Sequence, residues 1–364
     1  MRSLLMLLPG MLFGLLCRAQ QAELKGQASG WWTYGEQSLT DSRLGLRYIP
    51  TFSVADELES GRNLDMELSL NAFSSGPLDQ ADALSDAKAY RAWFRFTTPR
   101  FELRAGLQKI EFGPATMLRS LRWFDRLDPR DPLQLTDGVY GILGRYTWSN
   151  NTNLSVWGLY GNDEPKGWEL VGSVAHRPEF GYRFQFPTAR GEMALTMHHR
   201  CLDLGTEETE QRYALDGRWD LAWGLWFEAV AQQANNPFTE SDWRQFLTVG
   251  VDQTLGLGNG LYILLEHQVL ATSKDAFALE NDLQLSAFNS SYSLSLNSSI
   301  SAIGYYNWDT RELTPYLSSA LIYDNWSFRL NLFDNPNLLP GPDNRENLGL
   351  LPGKGMQLMV IYNH

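Results

Sequence analysis

The chain has 364 residues, with 30 basic and 42 acidic side chains, and this acidic balance argues against nucleic acid as a partner. Aromatic residues make up 13% of it, 13 of them Trp, 15 Tyr and 18 Phe, while the mean hydropathy is only −0.30. After the first residues no stretch reaches the roughly 18 uninterrupted apolar residues of a spanning helix, so a membrane location requires strands.

Residues 1–19 have the parts of a secretory signal: Arg2, an apolar run from Leu4 to Leu16, and the small residues Cys17 and Ala19 before a cut that leaves Gln20 first. Removal takes Arg2 and Arg18, leaving 28 basic against 42 acidic side chains and a formal charge of −14. Cys17 leaves as well, so Cys201 has no partner for a disulfide and reads as a small buried hydrophobe.

From residue 20 to 364 the pattern is one array of strands. Leu64 to Phe73 alternates apolar and polar at every step, and the same dyad recurs at Phe101/Leu103/Ala105/Leu107, Tyr182/Phe184/Phe186, Leu247/Val249/Val251, Tyr292/Leu294/Leu296 and Trp326/Phe328/Leu330/Leu332. Successive side chains of a strand point to opposite faces, so each segment has one greasy and one wet side. The intervening Ser, Asn, Thr, Asp and Arg residues suit a hydrated channel wall better than a buried soluble sheet. The pattern predicts an all-β transmembrane antiparallel β-barrel in the outer membrane, with about 16–20 strands. Leu68 and Leu330 then face lipid, and Ser69 and Asn331 face water in the lumen. Trp31, Trp32, Trp93, Trp148, Trp157, Trp219, Trp223, Trp226 and Trp326 fall in or at the ends of strands, where interfacial girdles form.

Tight hairpins are predicted at Asn150-Asn151, at Gly258-Asn259-Gly260 and over 187–191. Longer connections fall at 76–87, 110–137, 235–242 and 335–354, the last broken by Pro336, Pro340, Pro342 and Pro352. Residues 356–362 read as the closing strand, and no plug-sized region precedes the first strand.

Between Lys88 and Arg145 the charge balance reverses, to eleven basic against six acidic residues. Arg91 and Arg95 share one strand face, and Arg104 lies opposite Phe101/Leu103/Ala105, so these arginines are expected to point into the lumen. After Gly113-Pro114 the spacing changes to about three and a half. Leu118, Leu121 and Phe124 then form one helical stripe and Arg119, Arg122 and Arg126 a neighbouring one. This predicts an inward constriction segment whose arginines select anions. Asp125, Asp128, Asp131 and Asp137 are near enough to pair with the same arginines, so a bracing role stands beside recognition. The acidic excess is expected in loops such as Glu207-Glu208-Thr209-Glu210.

The strand from Leu103 to Gly113 resembles the Arg-x-Gly-x-Gln strand, ending in an aromatic and Gly, of Gram-negative outer-membrane porin-like barrels, including the alginate-export and phosphate-selective groups. The resemblance implies substrate passage through a lumen constricted by inward loops, with Arg104 facing that lumen.

The expected function is passive passage of a small anionic solute, with Arg91, Arg95, Arg104, Arg119, Arg122 and Arg126 as the ligand-facing set. Its partners are outer-membrane lipid and that solute, no cofactor is implied, and self-association into homo-oligomers is left open. One alternative is a non-transporting barrel acting as adhesin, scaffold or secretion-machine component. The other, a barrel-wall lipid acyl hydrolase, is disfavoured because adjacent His198 and His199 must point to opposite faces and no nucleophile motif lies near them. His176, His267 and the terminal His364 lack metal-site spacing.

Overall fold

The computed structural model describes residues 21–36, 42–78, 84–205, 208–234, 242–276, 278, 281–335 and 352–364. The signal sequence, Glu207 and most of the proline-rich connection lie outside these residues.

Among the described residues eighteen strands follow one another in chain order. The first half of the chain forms β1 (Gln21–Gly35), β2 (Ser42–Leu58), β3 (Arg62–Pro77), β4 (Leu84–Thr97), β5 (Phe101–Gln108), β6 (Val139–Thr147), β7 (Asn153–Leu159), β8 (Glu179–Thr188) and β9 (Gly191–Cys201). The second half forms β10 (Thr209–Asp220), β11 (Gly224–Ala234), β12 (Trp243–Leu255), β13 (Leu261–Ser273), β14 (Asn281–Ser293), β15 (Ser298–Asn307), β16 (Glu312–Tyr323), β17 (Trp326–Asn335) and β18 (Gly353–Asn363). Each pairs antiparallel with its neighbours. The closing pair runs from Gln27 opposite Asn363 to Gly35 opposite Gly355, so no strand edge is left open. Among the described residues no helix is long and apolar enough to cross a membrane.

The connections sort by end. Short turns join β2 to β3, β4 to β5, β6 to β7, β8 to β9 and their counterparts, while the longer connections lie at the opposite end, which is short only at 308–311 between β15 and β16. This is the asymmetry of short periplasmic turns and long extracellular loops.

Alternation places the apolar set outside. Leu46, Leu68, Leu70, Ile142, Val156, Leu195, Leu265 and Leu330 are all exposed on the outer wall, and this belt has no soluble explanation. Trp148, Trp223 and Trp326 are exposed at the turn end, as a girdle requires. Trp31, Trp157 and Trp226 are not girdle residues: they point inward and are almost wholly buried. Each lies opposite a glycine of the next strand, Gly45, Gly181 and Gly250 respectively. A Cβ at any of these glycines would collide with the indole, so the missing side chain lets the ring lie along the wall.

Candidate functional site: a loop-constricted lumen

The segment 109–138 between β5 and β6 folds inward, and two wall carboxylates hold it there. Glu228 of β11 accepts the backbone N–H groups of Ala115 and Leu121, each at 2.9 Å. Glu266 of β13 accepts those of Thr116, Met117 and Leu118 at 2.8, 2.9 and 2.5 Å, and the indole N–H of Trp226 at 3.1 Å. Gln268 and Thr248 donate to the Leu118 carbonyl. Gly113, at φ 87°, lies where a side chain would strike the Glu228 carboxylate.

This anchoring corrects the expected helical stripe. Residues 117–126 form turns and bends: the Leu121 N–H, which a helix would bond to the Met117 carbonyl, goes to Glu228, and the Leu118 carbonyl, which a helix would offer to Arg122, accepts from Thr248 and Gln268. The apolar residues of the segment still find cores. Ile110, Phe112, Leu121, Trp123 and Phe124 pack on Val139, Leu143, Trp157 and Val230. Met117 and Leu118 pack on Trp226, Leu264, Leu285 and Phe333.

A second inward segment, 160–178 between β7 and β8, carries no signal in the sequence beyond turn residues such as Gly161 and Gly167. It is held by ion pairs. Glu169 meets Arg212 at 2.8 Å, Arg200 at 3.2 Å and Lys166 at 3.3 Å. Lys166 also reaches Glu179 at 3.1 Å. Glu210 is not a solvated loop residue as expected: it is buried between Arg200 at 2.8 Å and Arg212 at 2.5 Å. His198 points inward and His199 outward against Phe180. The Trp157 indole donates to His198 Nδ1 at 3.1 Å, so the ring's proton sits on Nε2 and is donated to Glu179 at 3.1 Å.

The six arginines singled out from the sequence are not one cluster. Arg95 and Arg104 face each other across β4 and β5 on the inner wall. They pair with Asp65 at 3.1 Å and Glu102 at 3.0 Å, and both lie over Trp93. Arg91 is buried and donates to the carbonyl and hydroxyl of Thr136, at 3.1 and 3.0 Å. Arg119 is buried in a two-pronged pair with Asp125, at 2.7 and 3.2 Å, and also meets Glu111. Arg126 donates to the Pro165 carbonyl of the second inward segment. Arg122 lies over the Trp168 ring at 4.2 Å, and burial together with Arg119 lowers its pKa to about 10.

Two further arginines extend the wall row. Arg145 of β6 bonds Ser155 of β7 at 3.2 Å, and Ser155 lies opposite Arg183 of β8, which pairs with Asp216 at 2.6 and 2.7 Å. Arg145, Ser155 and Arg183 border a cavity of about 350 Å³ on the turn side of the inward loop, also lined by Gln185 and Arg218 and by the acidic Glu111, Glu192 and Asp216. Near the loop end a second cavity, of about 470 Å³, is lined by Lys88, Tyr90, Arg126 and Lys166. Cys201 is half-buried and free.

No protein-family model matches this chain, and no curated protein is similar to it in sequence. Its fold is shared with solved outer-membrane barrels. OpdK of Pseudomonas aeruginosa superposes with a TM-score of 0.60 at 10% identity, covering 95% of this chain and 99% of that one. The anion-selective porin of Comamonas acidovorans gives 0.53 at 11% identity, covering 94% and 99%. Wzi of Escherichia coli, described as a carbohydrate-binding β-barrel involved in capsule assembly, gives 0.55 at 13% identity, covering 97% and 86%. The protein is therefore an outer-membrane β-barrel with the porin fold, in agreement with its apolar belt and closed sheet.

Proposed function

We propose that this barrel is a channel for passive passage of small anionic solutes across the outer membrane. The observation that carries the reading is the inward row Arg95, Arg104, Arg145 and Arg183, spread over β4, β5, β6 and β8, of which Arg145 and Arg183 line the turn-side cavity. Asp65, Glu102 and Asp216 pair with three of its members, and the terminal guanidinium nitrogens of Arg145 have no hydrogen-bond partner among the described residues. Within this row one positive charge is left over, beside a cavity whose lining carries three basic residues, Arg145, Arg183 and Arg218, and three acidic ones, Glu111, Glu192 and Asp216, and low-dielectric walls focus its field. Arg91, Arg119 and Arg126 serve instead as braces, each spent on a neighbour. At identities of 11% and 13%, the anion-selective and carbohydrate-binding neighbours leave the choice of solute to this chain's own residues.

The test is the reversal potential across a bilayer held in a salt gradient. An anion-selective wild type is expected despite the net acidic charge, and a cation-selective one would sink the reading. A second reading has its own observation: Trp123, Leu121 and Phe124 of the inward loop are as buried as a soluble core, which favours a sealed, non-transporting barrel. Absence of any conductance would select it. Catalysis at His198 finds no support, since both ring nitrogens are engaged and the side chain is wholly buried.

A further inference from the structure

Arg122 is the exception among the loop arginines. Arg119 is balanced by Asp125 and Glu111, and Arg126 donates to Pro165. Arg130 grips Asp128 with Nε at 3.0 Å and a terminal nitrogen at 2.7 Å, and another nitrogen reaches Asn335 at 3.2 Å. The Asp128 pair is thus internally neutral, and it holds the Arg130 pKa above the ordinary value although burial by itself would lower it. Arg122 has no carboxylate or carbonyl on its side chain among the described residues, and its Nε is buried without a hydrogen-bond partner. With a pKa of about 10 the group stays charged at neutral pH. Asp125 and Asp128 attract this charge but neither bonds it, and a partly buried guanidinium without a bonded counter-charge is ordinarily met by an ion.

Next to it is a void of about 80 Å³, bounded by Arg122, Trp168, Tyr305 and Thr314, with Met117, Leu118 and Leu285 on the apolar side. That is several times the volume one ordered water requires. Tyr305 and Thr314 lie opposite each other on β15 and β16, and their hydroxyls supply two further donors. Asp128 also borders the void, with both of its oxygens turned to Arg130.

We propose that this void is a binding site for one monovalent, weakly hydrated inorganic anion of the chloride class, held by the Arg122 guanidinium and the Tyr305 and Thr314 hydroxyls. Charge count selects the valence: one unbalanced positive charge accepts one negative charge, and a dianion would leave an excess beside Asp128. The walls select weak hydration, because Met117, Leu118 and Leu285 cannot replace the water shell of a strongly hydrated oxyanion. The bound ion neutralises the loop's core. It is a resident of the protein and does not depend on whether the barrel conducts.

Two equilibrium measurements test this on the whole folded barrel. In crystals soaked in bromide, an anomalous peak is expected between Arg122 and the Tyr305/Thr314 pair; no peak there overturns the proposal, whether or not any variant folds. In detergent solution, with chloride replacing gluconate at fixed ionic strength, the unfolding temperature of the wild type is expected to rise with the logarithm of the chloride concentration once that exceeds the dissociation constant. Arg122→Met is expected to weaken the apparent chloride affinity by tenfold or more, about 1.4 kcal/mol, whereas Arg126→Met leaves it unchanged. Equal chloride dependence in wild type and Arg122→Met overturns the site. Stronger stabilisation by sulfate or phosphate than by chloride at equal concentration overturns the monovalent assignment. A barrel that binds bromide here but conducts no anions refutes the channel reading and leaves this one standing.

Discussion

The Glu266 carboxylate meets the backbone of Leu118 across the lumen, Oε2 lying 2.5 Å from the amide nitrogen, and the same group takes the N–H groups of Thr116 and Met117. One wall side chain thus satisfies three consecutive loop donors that would otherwise be buried without acceptors. An unsatisfied buried donor costs about 1–3 kcal/mol, so Glu266→Leu is expected to release residues 115–121 from the wall. Limited trypsin digestion reads this directly: cleavage after Arg119 or Arg122 should appear in Glu266→Leu and be absent from the wild type. Glu266→Gln keeps one carbonyl acceptor and should be intermediate. A Glu266→Leu loop as resistant as the native one would show that the apolar packing, and not the carboxylate, holds it.

The lipid belt gives a second prediction. Leu330 is 40% exposed on the outer wall, where a mid-membrane Arg costs about 2–4 kcal/mol. Asn331, its neighbour in sequence, points inward but does not face open water: it is fully buried between Ser318 and Gln357. Asn153, which lines the turn-side cavity, is the better inward control. Leu330→Arg should abolish the heat-dependent gel shift of a folded barrel, while Asn153→Arg should retain it. Loss of the shift in both would mean that charge is as badly tolerated inside as outside.

The barrel was legible in the sequence because lipid and lumen impose period two along the strand, as in Leu64 to Phe73. The position of the inward loop was legible for a similar reason, since strand alternation stops after Gly113-Pro114. Its conformation was not. The Leu121 N–H that would close a helical turn goes to Glu228, and Glu266 takes the donors before it; both glutamates lie more than a hundred residues away in the chain. In the sequence these two glutamates are only polar residues at inward positions. Glu210 misled for the opposite reason: a local acidic run suggests a solvated loop, and Arg200 and Arg212, which bury it, flank the run on adjacent strands.

Asp131 supplies a pH dependence. It is buried in the inward loop, and burial pushes its pKa up from 3.8 to about 6 although its carboxylate accepts the N–H groups of Leu135 and Leu133. Because the folded value lies above the unfolded one, the folded state binds the proton first as pH falls. Stability should therefore rise from pH 7 to pH 5, by about 1 kcal/mol, and level off once the unfolded carboxyl is protonated too. Denaturant midpoints at the two pH values measure this, and Asp131→Asn should remove the Asp131 share of the rise. A midpoint difference unchanged by the substitution would place the titration elsewhere.

Arg119 and Arg145 separate bracing from conduction within the same barrel. Arg119 is buried and fully paired with Asp125 and Glu111, so its charge is spent locally. Arg119→Ser breaks a buried pair, a loss of about 3–5 kcal/mol, and should lower stability and make single-channel currents noisy as the loop loosens. Arg145 is exposed to the lumen and gives only Nε to Ser155. Arg145→Ser should leave stability within about 0.5 kcal/mol of wild type, yet move the reversal potential toward cations, because it removes the unbalanced member of the Arg95, Arg104, Arg145 and Arg183 row. Paired measurements of denaturant midpoint and reversal potential on the two variants make the comparison. If Arg119→Ser shifts selectivity as much as Arg145→Ser does, the ion path runs along the inward loop and not along the turn-side wall.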